Sequence, residues 1–156
     1  MVTAGRDSVL LMGQPGLSAA DIGYGEAPRL GTAGADALGN AAAWRAQSLA
    51  GSLGADTLAG GAGDDWLQGG QGLDVLSGGA GRDSFVFEAW DGRDRITDFR
   101  PGTDRIILKG IEPETVWVNP ARDPAGVQGL EVDYATGNAI FLPGVSALGQ
   151  GDILFA

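Results

Sequence analysis

From Gly51 to Val86 the chain repeats every nine residues, as GSLGADTLA, GGAGDDWLQ, GGQGLDVLS and GGAGRDSFV, with units starting at Gly51, Gly60, Gly69 and Gly78. In each unit the fourth residue is glycine (Gly54, Gly63, Gly72, Gly81), the sixth is aspartate (Asp56, Asp65, Asp74, Asp83) and the eighth is large and apolar (Leu58, Leu67, Leu76, Phe85). No unit this small has a core of its own, so the copies must stack and bury a shared one. Glycines open backbone conformations closed to residues with a Cβ, and the first six residues therefore form a tight turn with converging carbonyls. Three residues remain for a strand, whose alternation sends the eighth side chain inward. A coil of two turns and two strands takes eighteen residues, which sets Asp56 beside Asp74 and Asp65 beside Asp83.

Paired carboxylates ringed by carbonyl oxygens repel one another unless a cation enters. The candidate ligands are all hard oxygens, and the chain has no histidine and no cysteine, which argues against zinc, copper or iron–sulfur chemistry. Calcium fits best, because it accepts six to eight oxygens in tolerant geometry. The candidate metal ligands are Asp56, Asp65, Asp74 and Asp83, with the backbone at Ser52, Gly54, Gly61, Gly63, Gly70, Gly72, Gly79 and Gly81, and Asp36, Asp94, Asp98 and Asp104 in flanking units. Asp64 and Asp91, outside the sixth place, are expected to face solvent.

The nonapeptide resembles the calcium-binding repeat of RTX proteins, which are secreted by Gram-negative bacteria. That resemblance implies an all-β fold, a calcium-bound parallel β-roll. The segments Arg82-Asp83-Ser84-Phe85-Val86-Phe87, Asp94-Arg95-Ile96-Thr97-Asp98-Phe99 and Gly102-Thr103-Asp104-Arg105-Ile106-Ile107-Leu108 further resemble the stretch C-terminal to the repeats in serralysin-type proteases and alginate epimerase R-modules. In such proteins the extreme C-terminus directs type I secretion and ends in an acidic residue followed by apolar ones. Gly151-Asp152-Ile153-Leu154-Phe155-Ala156 matches, apart from its terminal alanine. The same residues also read as a last strand completing a sheet.

The core G-x-D-x-apolar recurs around Asp7, Asp36, Asp94 and Asp104. Gly34 to Gly54 is two residues longer than a coil, so Asp36 stacks over Asp56 if a bulge falls near Asn40-Ala41. Residues 42–50 then form a degenerate unit with Leu49 in the apolar slot. The alternative is a short alanine-rich helix over residues 41–47 that packs Trp44 on the roll. Residues 1–30 read as loops or decayed coils. Residues 31–108 form the roll, and residues 109–156 a small antiparallel β cap with the secretion signal. In the cap, Leu130 to Tyr134 meets Ala139 to Leu142 across a turn, closing an edge that would otherwise be adhesive.

A net charge of −10 disfavours nucleic acid as a partner. Without cysteine there is no disulfide framework, so packing and metal must hold the fold together. No apolar run is long enough to span a membrane, and no charged-then-apolar signal peptide is apparent. Catalysis is not expected: H-E-x-x-H needs histidine, Gly-x-Ser-x-Gly is absent, and Asp64-Asp65 is a poor glycosidase pair because Asp65 fills the metal slot. Two functions remain. One is a calcium-responsive folding module of an extracellular protein exported by a type I ABC exporter. The other is an adhesin, surface-layer, polysaccharide-binding or self-associating module, with Trp66, Trp90, Trp117 and Tyr134 as its aromatic candidates.

Overall fold

Two sheets, one parallel and one parallel except for an antiparallel extension at its end, face each other across a row of apolar side chains. In the computed structural model, which describes residues 28–41 and 43–156, the first sheet runs β1 (Arg29–Leu30), β3 (Ser48–Leu53), β5 (Trp66–Gln71), β7 (Ser84–Phe87), β9 (Arg105–Leu108) and β13 (Ile153–Phe155). The second runs β2 (Ala37–Gly39), β4 (Thr57–Ala62), β6 (Val75–Ala80), β8 (Arg93–Ile96), β12 (Asn138–Pro143), β11 (Gln128–Tyr134) and β10 (Trp117–Arg122). The chain alternates between the sheets as the nine-residue period requires. Leu49 pairs with Leu67, and Leu58 with Leu76, each eighteen residues on.

The strands of the regular units are six residues long rather than three. Stacking explains the extension: the first three residues of the next unit continue the ladder, with Gly61 opposite Gly79 and Ala62 opposite Ala80. Along the strands of the regular units more exposed and buried residues alternate, and Leu49, Leu58, Leu67, Leu76, Phe85, Ile96 and Ile106 line the interior. Burying each such side chain contributes about 1.5–3 kcal/mol. That core runs without a break into the cap, where Phe87 meets the ring of Tyr134 at 6.0 Å between centroids.

Residues 41–47 hold no helix among the described residues. The chain instead takes the bulge, and Leu49 fills the core slot. A helix there would have removed the stacking bonds by which Ala62 N–H donates to the Ala43 carbonyl and Trp66 N–H to the Gln47 carbonyl. Trp44 is exposed rather than packed on the roll. The Asp7 motif and most of residues 1–30 lie outside the described residues, but β1 already pairs with β3. The expected hairpin is present: β11 and β12 pair antiparallel, with Tyr134 opposite Asn138. Parallel pairing of β12 with β8 then attaches the cap to the roll. At the C-terminus β13 adds to β9.

Candidate metal columns

The turns between strands stack into two columns, one on each side of the roll. Asp36, Asp56, Asp74 and Asp94 precede or enter the strands of the second sheet; Gln47, Asp65, Asp83 and Asp104 lead into those of the first. Within a column each Oδ1 accepts the backbone N–H of the residue one coil earlier. Asp56 N–H donates to Asp74 at 2.7 Å, Asp65 N–H to Asp83 at 3.0 Å and Asp74 N–H to Asp94 at 2.9 Å. Asp36 N–H donates to Asp56, Gln47 N–H to Asp65 and Asp83 N–H to Asp104 in the same way. The two-residue bulge thus leaves Asp36 in register with Asp56.

These bonds fix one oxygen of each accepting carboxylate and, except at Asp104, leave the other without a hydrogen bond. Oδ2 of Asp56, Asp65, Asp74, Asp83 and Asp94 is buried with no hydrogen-bond partner. A buried, unpaired carboxylate oxygen is costly. Burial therefore pushes the carboxyls of Asp74 and Asp83 up, that of Asp65 up to about 6 and that of Asp94 up to about 8, with repulsion between neighbouring aspartates adding to the effect. The glycine that opens each unit borders the same oxygen. A Cβ on Gly51, Gly60, Gly69 or Gly78 would collide with Oδ2 of Asp56, Asp65, Asp74 or Asp83 respectively.

The remaining candidates divide differently. Asp36 is partly buried, and its Oδ2 accepts Thr32 N–H at 2.6 Å and Thr32 Oγ1 at 2.9 Å. Asp98 accepts Ser77 Oγ and the N–H groups of Gly78 and Gly79, so its carboxylate caps a turn. Both oxygens of Asp104 are taken by Arg100 and by Asp83 N–H. At the second place of the units Gly61, Gly70 and Gly79 have φ of 108°, 95° and 92°, and Ser52 adopts the same conformation at 87°. At the fourth place Gly54, Gly63 and Gly81 also have positive φ; Gly72 does not, but its backbone packs directly on the Gly54 carbonyl.

Two expectations about side-chain exposure are corrected. Asp64 is exposed and accepts Arg82 N–H, but Asp91 is buried, with burial pushing its carboxyl up to about 6. The coil that ends at Asp94 is two residues longer than eighteen, the excess falling before Ala89, with Gly72 bridging Gly92, and Asp91 turns inward to accept Glu88 N–H at 2.7 Å. Tyr134, considered as a surface aromatic, is fully buried under the cap with its hydroxyl unpaired. Trp66, Trp90 and Trp117 are exposed, the last two by 74% and 66%. Trp117 is therefore not core. Sequence reasoning missed Gln47, which fills the sixth place of the degenerate unit and donates its side-chain amide to the Gly60 carbonyl. It also missed Asp152, buried where it accepts Gly102 N–H at 2.7 Å and Gly149 N–H at 2.6 Å.

The model of the RTX calcium-binding nonapeptide repeat matches residues 50–85 in four copies. Among solved structures, the AlgE6R3 subunit of the Azotobacter vinelandii mannuronan C5-epimerase is 31% identical, with 81% of each chain covered and a TM-score of 0.63. The chain belongs to the RTX calcium-binding repeat family. The AlgE6R2 subunit of the same epimerase is 26% identical at a TM-score of 0.60, covering 83% of this RTX chain and 93% of its own. The extracellular lipase LipA of Serratia marcescens shares the fold at 22% identity and a TM-score of 0.61; the match covers 83% of this chain and 21% of the lipase. No curated protein sequence matches.

The RTX columns fit calcium on their own chemistry. Among the described residues five buried aspartate oxygens lack a hydrogen-bond partner; that of Asp83 has the Arg100 guanidinium 3.5 Å away, and the chain has no imidazole or thiol to offer a metal instead. Among those same residues no three acidic side chains converge on one point, so backbone carbonyls and water would supply most of the six to eight oxygens that calcium takes. Asp56, Asp65, Asp74, Asp83 and Asp94 would hold the ions, whose charge would offset the repulsion between them.

Proposed function

We propose that this RTX chain is the calcium-binding module of a type I secreted extracellular protein and that it folds on meeting external calcium. The observation that carries the reading is the set of unpartnered carboxylate oxygens at the sixth place of successive coils. Without a cation the roll buries like charges; with one, metal-binding free energy becomes folding free energy. Extracellular modules bind calcium with dissociation constants on the order of 10⁻⁴ to 10⁻³ M, far above cytosolic levels. The chain stays exportable inside the cell and folds outside.

A calcium titration followed by circular dichroism tests this. The expected result is a largely unfolded chain in chelator and a β spectrum at millimolar calcium; a β spectrum indifferent to excess chelator would overturn it. The secretion half rests on the acidic-then-apolar tail from Asp152 to Ala156. Removing residues 150–156 should abolish export through a type I ABC exporter while calcium binding by residues 51–86 survives. Export at the full-length level would reduce the tail to a strand.

A second reading, a polysaccharide-binding, adhesive or self-associating module, is favoured by the exposure of Trp66, Trp90 and Trp117 and by the similarity to subunits of a mannuronan epimerase. Retention on a polyanionic polysaccharide in calcium, lost on substituting these tryptophans, would support it.

A further inference from the structure

The second column ends differently from the first, and the difference lies in one residue. In the coil leading to Asp104 the nonapeptide places are filled by Phe99, Arg100, Pro101, Gly102, Thr103 and Asp104. Arg100 therefore stands at the second place, where the regular units carry Gly61, Gly70 and Gly79. Its side chain turns back into the column. Nη2 donates to the Gly81 carbonyl at 2.6 Å and to Asp104 Oδ1 at 3.2 Å, and lies 3.5 Å from Asp83 Oδ2. Nε and the backbone N–H of Arg100 both reach Asp104 Oδ2, at 3.4 Å and 2.8 Å.

The groups that meet this guanidinium are a fourth-place carbonyl and two successive sixth-place carboxylates, the same kinds of oxygen that the other gaps offer a metal. Among the described residues the first column has no such cation at the same height. There Asp74 and Asp94 stack with an unpartnered oxygen on each. An arginine is permanently charged and offers a fork of donors suited to carboxylates.

We propose that Arg100 is a tethered cation standing in for calcium in the last gap of its column, between Asp83 and Asp104, so that this gap is closed without metal. The roll then has an end at the cap whose neutralisation does not depend on calcium, and its two columns bind different numbers of ions. This rests on calcium binding in the other gaps, and the test separates the two claims.

Native mass spectrometry of the calcium-saturated full chain counts the ions. Arg100→Ala should bind one calcium more than the parent chain, because it leaves two carboxylates and a carbonyl around an empty place; Arg100→Lys should bind the parent's number. Arg82→Ala, the same charge change on an exposed residue, should also match the parent. An unchanged count in Arg100→Ala overturns the proposal. A parent chain that binds no calcium overturns instead the function proposed above. Should Arg100→Ala fail to fold, the side-chain Nε–H resonance of Arg100 in the unsubstituted, calcium-saturated chain decides. Slow exchange with water supports the tethered cation, and fast exchange means that calcium has displaced it.

Discussion

Asp64 and Asp65 are adjacent in sequence and opposite in setting. Asp65 is buried with a lone Oδ2, while Asp64 is exposed and accepts Arg82 N–H. Asp74 repeats the Asp65 environment in the other column. Asp65→Ala and Asp74→Ala should therefore raise the calcium concentration needed for half-folding by about tenfold or more, corresponding to ~1.4 kcal/mol or more. Asp64→Ala should shift it by less than about twofold, as surface substitutions usually do. Titrating the three variants side by side checks this; equal shifts would mean that the acids act only through net charge. Asp91→Ala does not belong with the surface control. Its carboxylate ties the turn at Glu88, so its loss should destabilise the coil.

At the scale of the turn, the glycine places are not equivalent. Gly60 needs its missing Cβ because Asp65 Oδ2 and the Gly78 carbonyl occupy that space. Gly60→Ala should drive Asp65 out of position and abolish cooperative folding at millimolar calcium. At the second place the requirement is a positive φ, and Ser52 meets it at 87° and Trp90 at 78° although neither is glycine. A non-glycine residue there holds about 1–3 kcal/mol of backbone strain. Ser52→Gly should relieve part of it, offset by the greater entropy of glycine in the unfolded chain. The net expectation is a gain on the order of 1 kcal/mol in the calcium-loaded roll, measured by denaturant unfolding. A loss of stability would place the value of Ser52 in its side chain rather than its φ.

Over the whole molecule the buried carboxylates make the metal-free roll sensitive to pH. Folded-state values of about 8 for Asp94 and about 6 for Asp65 and Asp91 lie above the ordinary 3.8. The folded chain therefore binds more protons than the unfolded chain between these limits. The stabilising contribution of protonation is fully present below about pH 4 and is lost as pH rises through about 6 and then 8. Calcium-stripped protein should gain β structure on acidification from pH 8 to about 5. In calcium the trend should reverse, because protons compete for the ligands, and the folding midpoint should need more calcium below about pH 6. Circular dichroism over this range checks both. A metal-free chain equally unfolded at pH 8 and pH 5 would show that proton uptake does not substitute for the cation.

The nine-residue period alone determined that this chain coils, that Leu58 lies over Leu76, and that sixth-place aspartates meet one coil apart. Those are consequences of local geometry repeated, and a repeat carries its own register. Deviations from the period were a different matter. The bulge after Gly39, the inward turn of Asp91, the burial of Tyr134 and the return of β13 to β9 depend on which surface each segment covers. Arg100 shows the division most clearly. Its place in the nonapeptide can be counted from the sequence, but a side chain that long can point to solvent or into the column. Only the stacking of Gly81, Asp83 and Asp104 around its guanidinium decided which, because the attraction exists only after the coils have brought those oxygens together.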